Sequence, residues 1–176
     1  GITYALYAFL MQIGVDEGYE PIQPIHFSHK IHAGDNQIDC KYCHSGARTS
    51  AVAGVPSLNV CMGCHNTISE YEGEEDLANG YTKEFYTKEI KKLYEAVGWD
   101  EQKFRYAGTA KPVQWIRIHK LPDFTYFNHS QHVTVGGLEC QKCHGEVQQM
   151  EVVHQHAPLT MGWCIECHRQ MPVNAN

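Results

Sequence analysis

No block of Lys and Arg occurs in this chain of 176 residues; its fourteen basic side chains are scattered and its formal net charge is -6. Nucleic-acid binding, which needs basic clusters facing phosphates, is therefore not expected. Long apolar runs are missing too. The uncharged stretch Gly1–Val15 is shorter than the roughly 20 apolar residues a spanning helix takes. Regular apolar periodicity is scarce in Gly34–Val60 and Val133–Trp163, which are rich in Gly, Pro and polar residues. Such segments rarely assemble a conventional core. Hydrophobic content is nevertheless an ordinary 43%.

What the chain has in excess is sulfur and imidazole: eight Cys and twelve His. All eight cysteines fall into four pairs, each with two residues between and a His directly after. These are Cys40-Lys-Tyr-Cys43-His44, Cys61-Met-Gly-Cys64-His65, Cys140-Gln-Lys-Cys143-His144 and Cys164-Ile-Glu-Cys167-His168. In this motif two thiols add across heme vinyl groups and the following imidazole becomes the proximal iron ligand. A zinc ribbon needs no His after each pair, and a thioredoxin-like dithiol does not recur four times. Four covalently attached c hemes are expected, with a fold that is mostly irregular, carries short α-helices and is built around a heme core. Eight thiols in an oxidising compartment would otherwise pair as disulfides, and heme attachment takes place outside the cytoplasm. The globular part is expected there.

An internal repeat organises the chain. Phe27-Ser-His29-Lys-Ile-His32, followed by Cys40, Cys43 and His44, recurs 100 residues later without a gap as Phe127-Asn-His129-Ser-Gln-His132, Cys140, Cys143 and His144. A second motif follows each copy, after Pro56 and Pro158. The expected organisation is an N-terminal segment 1–19, a first diheme module 20–66, a heme-free insert 67–119 and a second diheme module 120–176. The segment 1–19 reads as the outer end of a membrane anchor helix, its Tyr residues suiting an interface; the plainer reading is a buried apolar segment. In the insert, Glu70–Gly80 reads as an exposed acidic loop and Lys83–Val97 as a helix stopped by Gly98. Lys111–His119 reads as an extended segment.

Each iron needs a sixth ligand unless it binds substrate. Eight His remain after the four proximal ones: His26, His29, His32, His119, His129, His132, His154 and His156. The repeat register selects His29, His32, His129 and His132 as distal ligands. On a helix, positions i and i+3 share a face, so two neighbouring imidazoles could reach two different irons. His119, His154 and His156 are weaker candidates, and His26 is suited to a propionate hydrogen bond. Met161 and Met150 could offer a thioether, although filling gaps against porphyrin faces is the plainer role.

The string Phe127–His132 ahead of Cys140–His144 resembles the small class III tetraheme cytochromes, in which the first His serves the local heme and the second a neighbour. Gln23–Asp35, Val113–Asp123 and Pro158–His168 together resemble the pentaheme cytochrome subunit of bacterial alternative complex III. That resemblance covers about residues 20–170. It implies a membrane-bound quinol-oxidising complex whose partners are an iron–sulfur subunit, quinol-binding membrane subunits and a monoheme cytochrome c. It also implies an N-terminal membrane helix and a place on the periplasmic face of the bacterial inner membrane. Electrons would pass from the iron–sulfur clusters toward a cytochrome or a terminal oxidase. The family carries five hemes and this chain shows four motifs; a fifth either lies beyond Asn176 or is lost in this member.

On this reading the chain conducts electrons and has no catalytic site of its own. A free periplasmic tetraheme shuttle is the alternative. A multiheme reductase of oxyanions comes last, because that class needs an iron with an open face and all four motifs here end in His.

Overall fold

The computed structural model describes residues 1–122 and 124–171. Asp123 and the last five residues of the expected 120–176 module lie outside the described residues. Six short α-helices and one two-residue ladder are set in irregular chain: α1 Ile2–Leu10, α2 Cys40–Cys43, α3 Leu58–His65, α4 Lys83–Val97, α5 Gln141–His144 and α6 Met161–Gln170, with β1 Trp99–Asp100 against β2 Arg105–Tyr106.

Helix α4 is the longest element and has the span its sequence pattern predicts. The Thr82 hydroxyl accepts from the Phe85 N–H at 3.1 Å, capping the first turn, and Gly98 takes φ 70° to end the last. Its buried positions Tyr86, Glu89, Leu93, Tyr94 and Val97 recur at three- and four-residue spacing and so form one face. Leu93, Tyr94 and Val97 pack with Met62 of α3 in the main apolar cluster, edged by Ile25, Leu58, Ile90 and Trp99. Only seven apolar side chains are buried among the described residues. The polypeptide alone thus owns a small core, concentrated where the insert meets the Cys61–His65 helix.

The rest of the insert is looser. Glu70–Gly80 is mostly exposed, as expected, with one tight turn at Leu77–Asn79. The Lys111–His119 segment joins no strand. The Gln23 carboxamide instead bonds both the N–H and the C=O of Ile116, at 2.9 Å each. Helix α1 buries no residue: Ile2, Tyr4 and Phe9 are each more than two-thirds exposed, as is Ile13 just after it. The plainer reading, an apolar segment packed in the core, is therefore not what the structure shows. No helix among the described residues is long and apolar enough to cross a membrane.

The sequence repeat is also a structural one. Each His pair sits at a single widened turn of π type, Lys30–Asp35 in the first copy and Gln131–Val135 in the second. Asn36 N–H reaches Ile31 C=O at 3.1 Å, and Gly136 N–H reaches Gln131 C=O at 2.8 Å. Such turns concentrate where side chains must be re-aimed. Each copy then runs into a short helix over its first Cys pair, and the turn of one copy lies against the segment that follows the motif of the other.

Candidate heme sites

Four pairs of imidazoles face each other, and each pairs one motif histidine with one repeat histidine. His29 and His44 have ring centroids 6.4 Å apart and planes within 4°; their counterparts His129 and His144 stand at 6.4 Å and 7°. His32 and His65 are 6.1 Å apart at 51°, and His132 and His168 are 6.0 Å apart at 64°. A metal about 2 Å from a nitrogen on either side sets two ring centres roughly 6 Å apart, so each pair has the spacing that one iron requires.

Local structure aims these rings. Phe27 presents its edge to His29 at 4.9 Å and stacks on His32 at 4.2 Å; Phe127 does the same with His129 at 4.9 Å and His132 at 4.4 Å. One aromatic ring thus wedges two imidazoles apart so that they address different partners. The widened turn adds to the divergence.

Hydrogen bonds fix which ring nitrogen is free. Nδ1 of His44 bonds Gly54 C=O at 2.6 Å and that of His65 bonds Ile68 C=O at 3.0 Å. On the other side, Nδ1 of His32, His129 and His132 bonds the carbonyls of Ser28, Ala51 and Asn128, each at 2.8 Å. A carbonyl can only accept, so Nδ1 carries the proton and Nε2 keeps its lone pair for a metal. His29 Nδ1 is buried without a partner. Burial first, then the charges of His44 and His32, lower the His29 pKa to about 4. Burial, then His119, His129 and His44, bring His144 likewise to about 4. Both rings are therefore neutral at pH 7, the state a ligand needs.

The thiols agree with this chemistry. None of the eight is in a disulfide. Burial pushes the thiols of Cys43, Cys61, Cys140, Cys143 and Cys164 up, the opposite of the depressed thiol a dithiol oxidoreductase uses. Among the described residues no three His, Cys, Asp or Glu side chains converge as a zinc site would. The donor set of each site, two thiols and two opposed imidazoles, fits a covalently held heme.

The other candidates fall elsewhere. His119 stands behind the His144 ring, its Nε2 3.1 Å from His144 Nδ1 and the planes at 84°. With His144 Nε2 kept for a metal, as in the other motif histidines, its Nδ1–H would donate and His119 would accept. Burial, then His129 and His154, hold His119 at about 4, so it is neutral and able to accept. His154 Nδ1 lies 3.5 Å from Glu20, and His156 packs its ring over Gly145. Between them Gln155 is buried, bonding Lys120 N–H and Ala157 C=O, so the extended backbone turns both imidazoles away from the interior. Met161 is 77% exposed and opposes no motif histidine. Met150 offers its carbonyl to Lys30 N–H at 3.0 Å.

His26 belongs to a clasp that joins three parts of the chain. The Glu151 carboxylate meets His26 Nε2 at 2.8 Å and accepts from the Ser28 hydroxyl at 2.7 Å and the Tyr86 hydroxyl at 2.7 Å. Burial pushes that carboxyl up, and the three hydrogen bonds more than offset it, so it sits below the usual carboxylate range. Phe27, Phe127, the Glu151 clasp and the role of His119 were not foreseen. A Phe two residues ahead of each His pair, in both copies, was the available signal for the first two.

Residues 11–96 match the class III cytochrome c family. Over 122 residues, 69% of the chain, the sequence is 30% identical to the multiheme cytochrome c subunit of menaquinone reductase from Nitratidesulfovibrio vulgaris. The aligned part is 45% of that protein, so the chain spans less than half the length of this relative.

Proposed function

We propose that this multiheme c-type cytochrome is the electron-transfer subunit of a membrane quinone-linked oxidoreductase, holding four hemes, two in each repeat. The observation that carries the reading is the set of four opposed imidazole pairs at 6.0–6.4 Å, each ending on a CxxCH histidine. Cys40 and Cys43 hold the first heme between His44 and His29; Cys61 and Cys64 hold the second between His65 and His32. Cys140 and Cys143 hold the third between His144 and His129; Cys164 and Cys167 hold the fourth between His168 and His132. Bound heme supplies an iron that accepts and releases one electron.

The chain's own residues would place an imidazole on each side of every heme and orient His32, His44, His65, His129 and His132 through carbonyl acceptors. With both faces closed, no substrate reaches a metal, and the protein conducts rather than catalyses. The partners proposed are an iron–sulfur subunit, quinone-binding membrane subunits and a cytochrome or terminal oxidase. Residues 1–19 anchor the protein on the periplasmic face, a role supported by the uncharged, wholly exposed α1.

The resemblance to alternative complex III favours quinol oxidation, and the relative's name favours menaquinone reduction. A closed wire runs either way, so the choice rests with its partners. Purification of the native protein from membranes decides the main reading. The expected result is a mass exceeding the polypeptide by four hemes and copurification of an iron–sulfur protein in detergent. A colourless chain would end the proposal, and a heme protein recovered alone from the soluble fraction would favour the free shuttle.

A further inference from the structure

We propose that electrons cross the molecule along one unbranched line of sites in the order His65, His44, His144, His168, with the two repeats joined head to head at its middle. This rests on the reading that each motif holds a heme, and adds the order in which the sites follow.

Within a repeat, the chain itself makes two sites neighbours. His29 and His32 lie three residues apart in one turn, yet face His44 and His65 respectively. The second repeat copies this: His129 and His132 lie three residues apart and face His144 and His168.

Between repeats the bonding is reciprocal, and its register is the 100-residue repeat. Lys30 N–H donates to Met150 C=O at 3.0 Å, and Ser130 N–H donates to Ser50 C=O at 3.1 Å. Adding 100 to the first donor, and taking 100 from its acceptor, gives the second bond. The same exchange places Gly34 against Gln148 C=O and Thr134, its hydroxyl bonded at 2.8 Å, on Arg48 C=O. A contact in which i meets j and the copy of j meets the copy of i is isologous, so a local two-fold axis relates the repeats.

An element that touches its own counterpart lies on such an axis. Lys30 and Ser130, which make the bonds of this joint, each directly follow the histidine that faces His44 or His144, and the counterparts Cys40 and Cys140 come within side-chain hydrogen-bonding range. His44 N–H and His144 N–H bond the C=O of these same two cysteines at 2.9 and 3.0 Å, so both motif histidines stand one turn from the contact. The sites of His44 and His144 are therefore central. Because each is flanked by the other site of its own repeat, the sites of His65 and His168 take the two ends.

The test uses the intact, heme-loaded protein in its fully reduced state, where six-coordinate low-spin iron is diamagnetic. Each heme is assigned by its thioether link to labelled cysteine, and through-space proton cross-peaks between hemes are recorded. Three neighbour pairs are expected: the heme on Cys61 and Cys64 with that on Cys40 and Cys43, the latter with the heme on Cys140 and Cys143, and that one with the heme on Cys164 and Cys167. Absence of the central cross-peaks, or a cross-peak from the Cys61 heme to either heme of the second repeat, would overturn the order. A second measurement needs one variant. His29→Met raises the potential of the His44 site, because a thioether ligand favours ferrous iron. The order predicts that the titrations of the His65 and His144 sites also shift, and that of the His168 site least. A shift at His168 larger than at His144 would contradict it. A mass short of four hemes would strike the underlying reading, whereas a full complement with the wrong neighbours would strike the order alone.

Discussion

His29 offers the most incisive test of the axial assignment, because its Nδ1 makes no hydrogen bond. Replacing His29 with Ala breaks no polar contact; what is lost is the edge contact with Phe27 at 4.9 Å and the group facing His44. Replacing His129, by contrast, also removes the Nδ1–H bond to Ala51 C=O, which keeps only the backbone N–H of residue 129, a further cost of about 1 kcal/mol. In the wild type all four motif histidines are opposed by an imidazole, so the dithionite-reduced protein should bind no carbon monoxide. His29→Ala opens one position of four, and the expected stoichiometry is one carbon monoxide per chain, a quarter of the heme. No spare imidazole is placed to close the gap: His119 lies behind the neighbouring His144, and His154 and His156 point away. The assay is a carbon monoxide difference spectrum titrated against total heme, with His154→Ala and His156→Ala as controls that should bind none. Binding by the wild type would refute the closed-site reasoning. So would a His29→Ala protein with its full heme complement and no binding.

Further outcomes follow from single contacts. His119→Ala removes the acceptor of the His144 Nδ1–H and should raise one midpoint potential in a spectroelectrochemical titration, because an imidazole that donates a hydrogen bond is the stronger ligand. His119→Gln, which keeps an acceptor, should largely restore it. Leu93→Ala empties a site only 6% exposed where α4 meets Met62, and should cost about 2–5 kcal/mol, read as a fall in unfolding midpoint. The Glu151 carboxyl is held below its ordinary value of 4.5, so its clasp contributes fully above that pH and is lost as pH falls through the depressed value. Thermal melts from pH 7 to pH 3 should show that acid-linked decline in the wild type and a flatter profile in Glu151→Gln. Gly34→Val sets a side chain into Gln148 C=O, and should destabilise the joint between repeats more than Gly162→Val, which meets nothing and needs no left-handed backbone.

Much of this was legible in the sequence because the chemistry is written in side-chain types. The motif spacing named the cofactor, the surplus His in register named candidates for its second axial position, and Lys83–Val97 between a Thr and a Gly read directly as a capped helix. What escaped is carried by groups without identity in a sequence. The reciprocal joint is made of backbone N–H and C=O at Lys30, Ser50, Ser130 and Met150, positions whose side chains say nothing of it. His119 escaped for another reason: an imidazole that ligates and one that accepts a hydrogen bond are the same letter, and only its place behind His144 separates them. The widened turn at Lys30–Asp35 escaped too, because its i→i+5 bonding is a property of the backbone and leaves no mark on side-chain types.

The insert has an effect its lack of heme conceals. A duplicated conduit would have two equivalent mouths, and equivalent mouths cannot tell a donor from an acceptor. Helix α4 removes that equivalence. It lays Leu93 and Val97 over α3 and ties the Tyr94 hydroxyl to His65 C=O, while Met161 and Ile165 of α6 stay exposed. On the proposed line of sites, a molecule that delivers an electron and one that collects it would then meet surfaces that no longer match, and shape alone would give the traffic a direction.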